Sequence, residues 1–89
     1  PDFKKMMADG AVILDVRTPG EYASGHIKGS KNIPLQQLSA GVKSIPKNKP
    51  IITVCASGMR SGSAKSQLKS MGYEQVENGG PWSRLKSLI

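Results

Sequence analysis

Short apolar runs separated by glycine, proline and polar residues recur along this chain, and two of the runs predict buried strands. Residues 11–14 read Ala-Val-Ile-Leu, and residues 50–54 read Pro-Ile-Ile-Thr-Val. Continuous apolar runs of this length are typical of strands covered on both faces, and β-branched residues favour the strand conformation. Briefer strands are predicted at residues 31–33, which Pro34 would end, and at residues 73–76.

Capping residues predict two short helices in the first third of the chain. Asp2 can cap an opening helix that ends before Gly10. Thr18, Pro19 and Glu21 then stand at the N-cap, first and third positions of a capping box. The second helix is therefore predicted to begin at Pro19.

Helical spacing predicts two further helices in the second half of the chain. Apolar residues at i, i+4 and i+7 indicate a helix over residues 61–70. A turn is predicted at residues 78–80, and Pro81 would be the first residue of a last helix. Residues 35–38 predict a single helical turn, whereas residues 39–49 show no regular pattern.

The alternation of strands and helices predicts an α/β fold with a mostly parallel sheet between helices. Ligands of such sheets bind beyond the carboxyl ends of the strands. Asp15 and Cys55 directly follow the two strong strands, so they are expected at the same edge of the sheet. At 89 residues the chain is predicted to form one domain, residues 1–89.

The composition of the chain indicates which kinds of partner it can have. Apolar residues make up 37% of the chain and charged residues 21%, as in a soluble globular protein. No apolar stretch approaches the ~20 residues that span a bilayer, so no membrane partner is expected. No signal peptide is visible, and a cytoplasmic or a periplasmic location stays open. The chain is expected to be monomeric.

The net charge is +7, from 13 basic and 6 acidic residues. The lysines are scattered, and few aromatic residues are interleaved with them, so nucleic acid is not an expected partner. The positive charge can instead concentrate a small anionic substrate.

The chain has one cysteine and one histidine. This composition excludes an internal disulfide and a Cys-x-x-Cys redox pair, and no metal site is expected. Cys55 is then either a small buried hydrophobe or a nucleophile.

The residues after the second strong strand favour the nucleophile. Cys55 would begin a tight loop before a helix, where free backbone N–H groups and the helix dipole stabilise a thiolate. Ala56, Ser57 and Gly58 are small enough for the backbone to close around the sulfur. Arg60 adds a positive charge that can orient an anionic substrate. The pattern therefore predicts a reactive, partly exposed Cys55 with a depressed pKa.

Two motifs in this chain resemble those of the rhodanese sulfurtransferases. Residues 55–60, Cys-Ala-Ser-Gly-Met-Arg, resemble the six-residue active-site loop of that family. Residues 15–22 and 25–34 resemble its N-terminal pattern of Asp-Val-Arg, Glu-Tyr, Gly-His-Ile and Asn-Ile-Pro. Met-Gly-Tyr at residues 71–73 and Gly-Gly at residues 79–80 match its C-terminal half, so the resemblance covers nearly the whole chain.

The resemblance implies a mostly parallel central sheet of about five strands, flanked by helices on both faces. It implies that Cys55 takes a sulfane sulfur from a small anionic donor such as thiosulfate and holds it as a persulfide. The outer sulfur would pass to a thiophilic acceptor such as cyanide or a thiol, and no cofactor is implied. The loop would bind the substrate and stabilise developing negative charge. The loop residues concerned are Ala56, Ser57, Gly58, Met59 and Arg60.

Three residues outside the loop are candidates for supporting roles. Asp15 can either fix the loop or pair with Arg17, and the sequence leaves both open. Arg17 is better explained by a structural ion pair than by anion binding. Ser61 can contact the sulfur, but it is interpreted as the cap of the following helix. His26 occupies a position that is structural in the family, so it is not predicted to be a general base.

Two other functions remain to be weighed. The chain can be a persulfide relay or interaction module that serves a dedicated protein acceptor. A cysteine-based phosphatase or arsenate reductase is the other alternative, because one phosphatase group shares this fold. Those enzymes use a loop that is one residue longer, whereas here four residues separate Cys55 from Arg60.

Overall fold

Four parallel strands form the central sheet of the protein, in the order β2-β1-β3-β4. The computed structural model describes all residues from 1 to 89. The strands are β1 (Val12–Asp15), β2 (Lys31–Asn32), β3 (Ile51–Cys55) and β4 (Val76–Pro81). The helices are α1 (Phe3–Ala8), α2 (Pro19–Ser24), α3 (Leu38–Gly41), α4 (Met59–Ser70) and α5 (Trp82–Leu88), with one 3-10 turn at Leu35–Gln37.

Helices cover both faces of this sheet, as the α/β prediction requires. Along β3, successive side chains point to opposite faces, so Ile51 and Cys55 join one apolar cluster while Ile52 and Val54 join the other. The first cluster packs under α3 and α4, and the second packs under α1 and α5. This two-sided burial explains the continuous apolar run of β3, all five residues of which are buried.

The sheet has four strands, so the expectation of about five is wrong. Each of the four strands contains residues from one of the four segments that the apolar pattern singles out. The fifth strand came from the family resemblance alone, and no segment of this chain supplies it.

The strand β4 lies further along the chain than predicted. Of the predicted strand at residues 73–76, only Val76 lies in β4. Tyr73 is instead a buried anchor, and its hydroxyl oxygen lies within hydrogen-bond distance of the carbonyl oxygens of Val42 and Ile45, at 2.7 and 2.8 Å. The predicted turn at residues 78–80 is wrong too, because Asn78 and Gly80 pair with Thr53 and Val54 of β3, with a register shift at Gly79. The local sequence Asn-Gly-Gly favours a turn, and pairing with the central strand overrides that preference.

The helix starts agree with the sequence in part. The side chain of Asp2 accepts the N–H of Lys5, and Thr18 and Glu21 form the predicted capping box. The helix α4 begins at Met59 rather than at residue 61, because Gly58 turns the chain with a φ of +101°. The longest helix has 12 residues, and none is long and apolar enough to cross a bilayer.

Close packing of β3 against β4 yields a stability prediction at Gly79. A Cβ on this buried residue would lie 2.8 Å from Cγ2 of Ile52 and 3.0 Å from the carbonyl oxygen of Thr53. We expect Gly79→Ala to lower the free energy of unfolding by about 2 kcal/mol, because the central strand cannot move away. Urea denaturation measures this change.

Gly20→Ala is the matched control. Gly20 lies in the exposed helix α2, and a Cβ there would meet nothing within 4 Å. This substitution should leave the free energy of unfolding within about 1 kcal/mol of the wild-type value. Equal destabilisation by the two substitutions would contradict the packing argument.

Candidate active site

Cys55 is the last residue of β3, and its side chain is fully buried where the chain turns towards α4. Only residues 56–58 separate the strand from the helix, so the backbone curls tightly around the sulfur. The prediction of a partly exposed cysteine is wrong. The sulfur lies inside the curl, against the cluster that contains Ala64 and Leu68, and not on the rim of the loop.

Backbone N–H groups of the loop point at this sulfur. The N–H of Gly58 donates to Sγ of Cys55 at 3.0 Å, and the N–H of Ser61 donates to it at 3.4 Å. The positive φ of Gly58 turns its peptide inwards, a conformation that other residues rarely adopt. The loop therefore forms a small nest of donors that suits a negatively charged sulfur.

These donors lower the pKa of the Cys55 thiol. Burial raises the pKa of the thiol, but hydrogen bonds from the Ser61 hydroxyl and from the N–H groups of Ser61, Gly58 and Ser57 more than offset it. The pKa of Cys55 is lowered to about 7. A large share of the protein therefore carries a thiolate at neutral pH, which is the nucleophilic form.

Ser61 contacts the sulfur and does not cap the helix, so its interpretation as a cap is wrong. It lies within the first turn of α4, with its Oγ 3.4 Å from Sγ of Cys55. Its hydroxyl donates to Oδ1 of Asn78 at 2.7 Å, so it accepts from the thiol in the protonated state. When Cys55 ionises, the hydroxyl can turn to donate to the sulfur.

Asn78 of β4 is a site residue that the sequence pattern did not indicate. Its Oδ1 also accepts the N–H of Gly80 at 2.8 Å, so this oxygen keeps a donor when the Ser61 hydroxyl turns away. Its Nδ2 donates to the carbonyl of Gly58 at 3.1 Å. Asn78 thus ties the loop to β4, and the local pattern of a turn residue gave no indication of this.

Arg60 pairs with Glu21, which the sequence pattern predicted only as a residue of the capping box. Its guanidinium donates to Oε1 and Oε2 of Glu21 at 2.7 and 2.9 Å. The bond from Arg60, together with the N–H of Thr18, lowers the pKa of Glu21 to about 2. The charge of Arg60 is therefore neutralised by a carboxylate beside the loop.

Asp15 and Arg17 form a second, fully buried ion pair. Nη2 of Arg17 donates to Oδ2 of Asp15 at 2.7 Å, and this hydrogen bond raises the pKa of Arg17. The guanidinium also lies 4.8 Å from the ring centroid of Trp82 and donates to the carbonyl of Gly25. These contacts join the end of β1 to the C-cap of α2 and to the first residue of α5.

The remaining candidate residues lie on the surface. Ala56 and Ser57 are exposed, and Met59 is 82% exposed at the start of α4. His26 stacks on the ring of Tyr22, with its Nδ1 2.7 Å from the carbonyl oxygen of that residue. No group of three or more His, Cys, Asp or Glu side chains is arranged to hold a metal ion.

Comparison with known proteins agrees with this architecture. A family model described as "Rhodanese-like domain" matches residues 1–79. The protein YqhL of Bacillus subtilis (strain 168) is 40% identical over 68 residues, which cover 76% of this chain and 54% of that protein. The thiosulfate sulfurtransferase PspE of Escherichia coli (strain K12) is 41% identical over 69 residues, which cover 75% of this chain and 66% of that protein.

A solved structure shares both the fold and the sequence pattern. A rhodanese with anions from E. coli superposes with a TM-score of 0.79 at 35% identity. The alignment covers 84% of this chain and 91% of that structure. The chain thus matches nearly the whole of a solved rhodanese, but only about half to two thirds of the length of the two curated relatives.

The hydrogen bonds to the sulfur predict a pH profile for Cys55 in which ionisation is half complete at about pH 7. The rate of alkylation by iodoacetamide should rise with pH through this value, because only the thiolate reacts. In Ser61→Ala the midpoint should move up by about one pH unit, because the thiolate loses a hydroxyl donor. Mass spectrometry of the intact protein measures the extent of alkylation at Cys55, the single cysteine of the chain.

Ser63→Ala is the control for this measurement. Ser63 is an exposed residue of the same helix and makes no hydrogen bond to the sulfur. Its substitution should leave the midpoint unchanged. A Ser61→Ala midpoint equal to that of the wild type would contradict the assigned role of the hydroxyl.

Proposed function

Because this chain belongs to the rhodanese-like domain family, we propose that it is a sulfurtransferase that carries a sulfane sulfur as a persulfide on Cys55. The observation that carries the proposal is the position of the Cys55 sulfur and of the N–H groups around it. Cys55 lies at the carboxyl end of a central parallel strand, and the N–H groups of Gly58 and Ser61 point at its Sγ. A thiolate held by amides is ready to attack sulfur without a separate general base.

The first half-reaction loads the cysteine. The Cys55 thiolate attacks the outer sulfur of a donor such as thiosulfate, the S–S bond of the donor breaks, and sulfite leaves with the electron pair. The products are a Cys55 persulfide anion and sulfite, so charge and atoms balance. The same amides that lower the thiol pKa can stabilise the negative charge on the persulfide.

The second half-reaction discharges the outer sulfur. A thiophile such as cyanide attacks it, the persulfide S–S bond breaks, and the Cys55 thiolate returns as thiocyanate leaves. A thiol acceptor would take the sulfur in the same way and become a persulfide itself. This cycle is ping-pong catalysis on one cysteine and needs no cofactor. Thiosulfate is the first donor to test because the relative PspE is named a thiosulfate sulfurtransferase.

Loop geometry disfavours the phosphatase alternative. Only four residues separate Cys55 from Arg60, which leaves a narrow curl around a single sulfur atom. An enzyme that cleaves phosphate esters also needs a cation over the equatorial oxygens. The guanidinium of Arg60 is instead held by Glu21, so it is not free to take that place.

Mass spectrometry of the intact protein after incubation with thiosulfate tests the proposal. We expect the wild type to gain the mass of one sulfur atom, and to lose it on addition of cyanide with release of thiocyanate. Cys55→Ser should do neither, because it lacks the only thiol of the chain. The Ser63→Ala variant serves as the control for a surface substitution.

The outcomes separate the candidate functions. Loading that cyanide does not discharge would favour a persulfide relay with a dedicated protein acceptor. Absence of loading from thiosulfate and from a low-molecular-weight persulfide would contradict the sulfurtransferase proposal. In that case, hydrolysis of a phosphate ester should be measured next.

A further inference from the structure

Two ion pairs lie beside the catalytic loop. Arg17 is paired with Asp15, and Arg60 is paired with Glu21. Two arginines and two carboxylates have a formal sum of zero. These two pairs therefore add no net charge beside the loop, whereas the whole chain has a net charge of +7.

The pair between Arg60 and Glu21 is the one that borders the loop. Arg60 stands at the second position of α4, and the Cys55 thiolate contributes to the raised pKa of its guanidinium. Both side chains are about one third exposed, at 36% for Arg60 and 35% for Glu21. Glu21 occupies two N–H groups of the guanidinium, which is the fork that would otherwise bind an oxyanion.

This pairing affects donors of different charge unequally. Thiosulfate is a dianion, and its sulfonate oxygens need cationic or N–H partners beyond those that hold the reacting sulfur. Cysteine persulfide has a carboxylate, an ammonium group and one persulfide charge, so its net charge is −1. A carboxylate beside the loop repels the dianion more strongly than the monoanion.

We propose that Glu21 is a specificity-determining residue, which neutralises Arg60 and thereby weakens the preference of the site for dianionic sulfur donors. The inference rests on the proposed function and refines it to a donor class. With Glu21 in place, the guanidinium of Arg60 is occupied, and donors of lower charge are favoured. Without its charge, Arg60 becomes available to the sulfonate group.

Glu21→Gln is the most specific test variant, because it removes the negative charge of the side chain and keeps its shape. Glutamine is accepted at the third position of a capping box, so α2 keeps its start. Glu77→Gln is the matched control. Glu77 pairs with Lys65 of the same helix α4 at 3.2 Å, and the exposed fractions, 32% and 34%, are similar.

The first readout measures the potential at the sulfur and needs no sulfur transfer. Cys55 is the only thiol, so its rates of alkylation by anionic iodoacetate and neutral iodoacetamide can be compared directly. Both reagents attack the thiolate, so their rate ratio is independent of the fraction ionised. We expect the iodoacetate-to-iodoacetamide ratio to rise about fivefold in Glu21→Gln and to stay unchanged in Glu77→Gln.

A double variant shows whether Glu21 acts through Arg60. In the Arg60→Gln background, Glu21→Gln should raise the ratio much less than in the wild type, since no guanidinium is left to be released. An equal rise in Glu77→Gln would overturn the proposal, as would no rise in Glu21→Gln. Failure of both reagents to reach Cys55 would also overturn it, because anions could not then meet the sulfur near Arg60.

The second readout measures donor choice. The KM for thiosulfate should fall about fivefold in Glu21→Gln, while the KM for cysteine persulfide changes less than twofold and kcat is little altered. Equal changes for the two donors would overturn the proposed role of Glu21 and leave the sulfurtransferase function standing. No loading of any variant by either donor would overturn the proposed function itself, and with it this role of Glu21.

Discussion

The need to bury the sulfur of Cys55 among hydrogen-bond donors explains most of the structure between β3 and α4. A thiolate can be buried only where donors replace the water that it loses, and here Gly58 and Ser61 supply backbone N–H groups. The tight curl requires a residue that accepts a positive φ, and Gly58 has a φ of +101°. The short loop places the first turn of α4 close enough to the sulfur for Ser61 to contact it. Reactivity thus follows from the junction of β3 and α4.

The strand β4 supports this junction although it contributes no reacting group. Gly79 allows β4 to approach β3 closely, because there is no space for a Cβ. This approach brings Asn78 within hydrogen-bond distance of Ser61 and Gly58. The apolar clusters on the two faces of the sheet hold these strands in place. The hydrogen bonds of Asn78 therefore connect β4 to the residues around the sulfur.

Ion pairing gives the site an electrostatic character that the overall charge conceals. The scattered lysines produce a net charge of +7, which attracts anions to the protein as a whole. Near the loop, however, Arg17 and Arg60 each have a carboxylate partner. Long-range attraction and local recognition are thus separate properties. The first depends on composition, and the second depends on which side chains meet.

The sequence by itself determined the α/β class, the capping of the first two helices and the position of Cys55, because these depend on local spacing and on residues near one another in the chain. It did not predict that residues 78–80 form part of a strand, since pairing with β3 outweighs their turn preference. Only the tertiary structure brought Glu21 to Arg60, across 39 positions of sequence, and Asn78 to Ser61. Partners so far apart in the chain leave no periodic pattern, and the fold alone decides which of them meet.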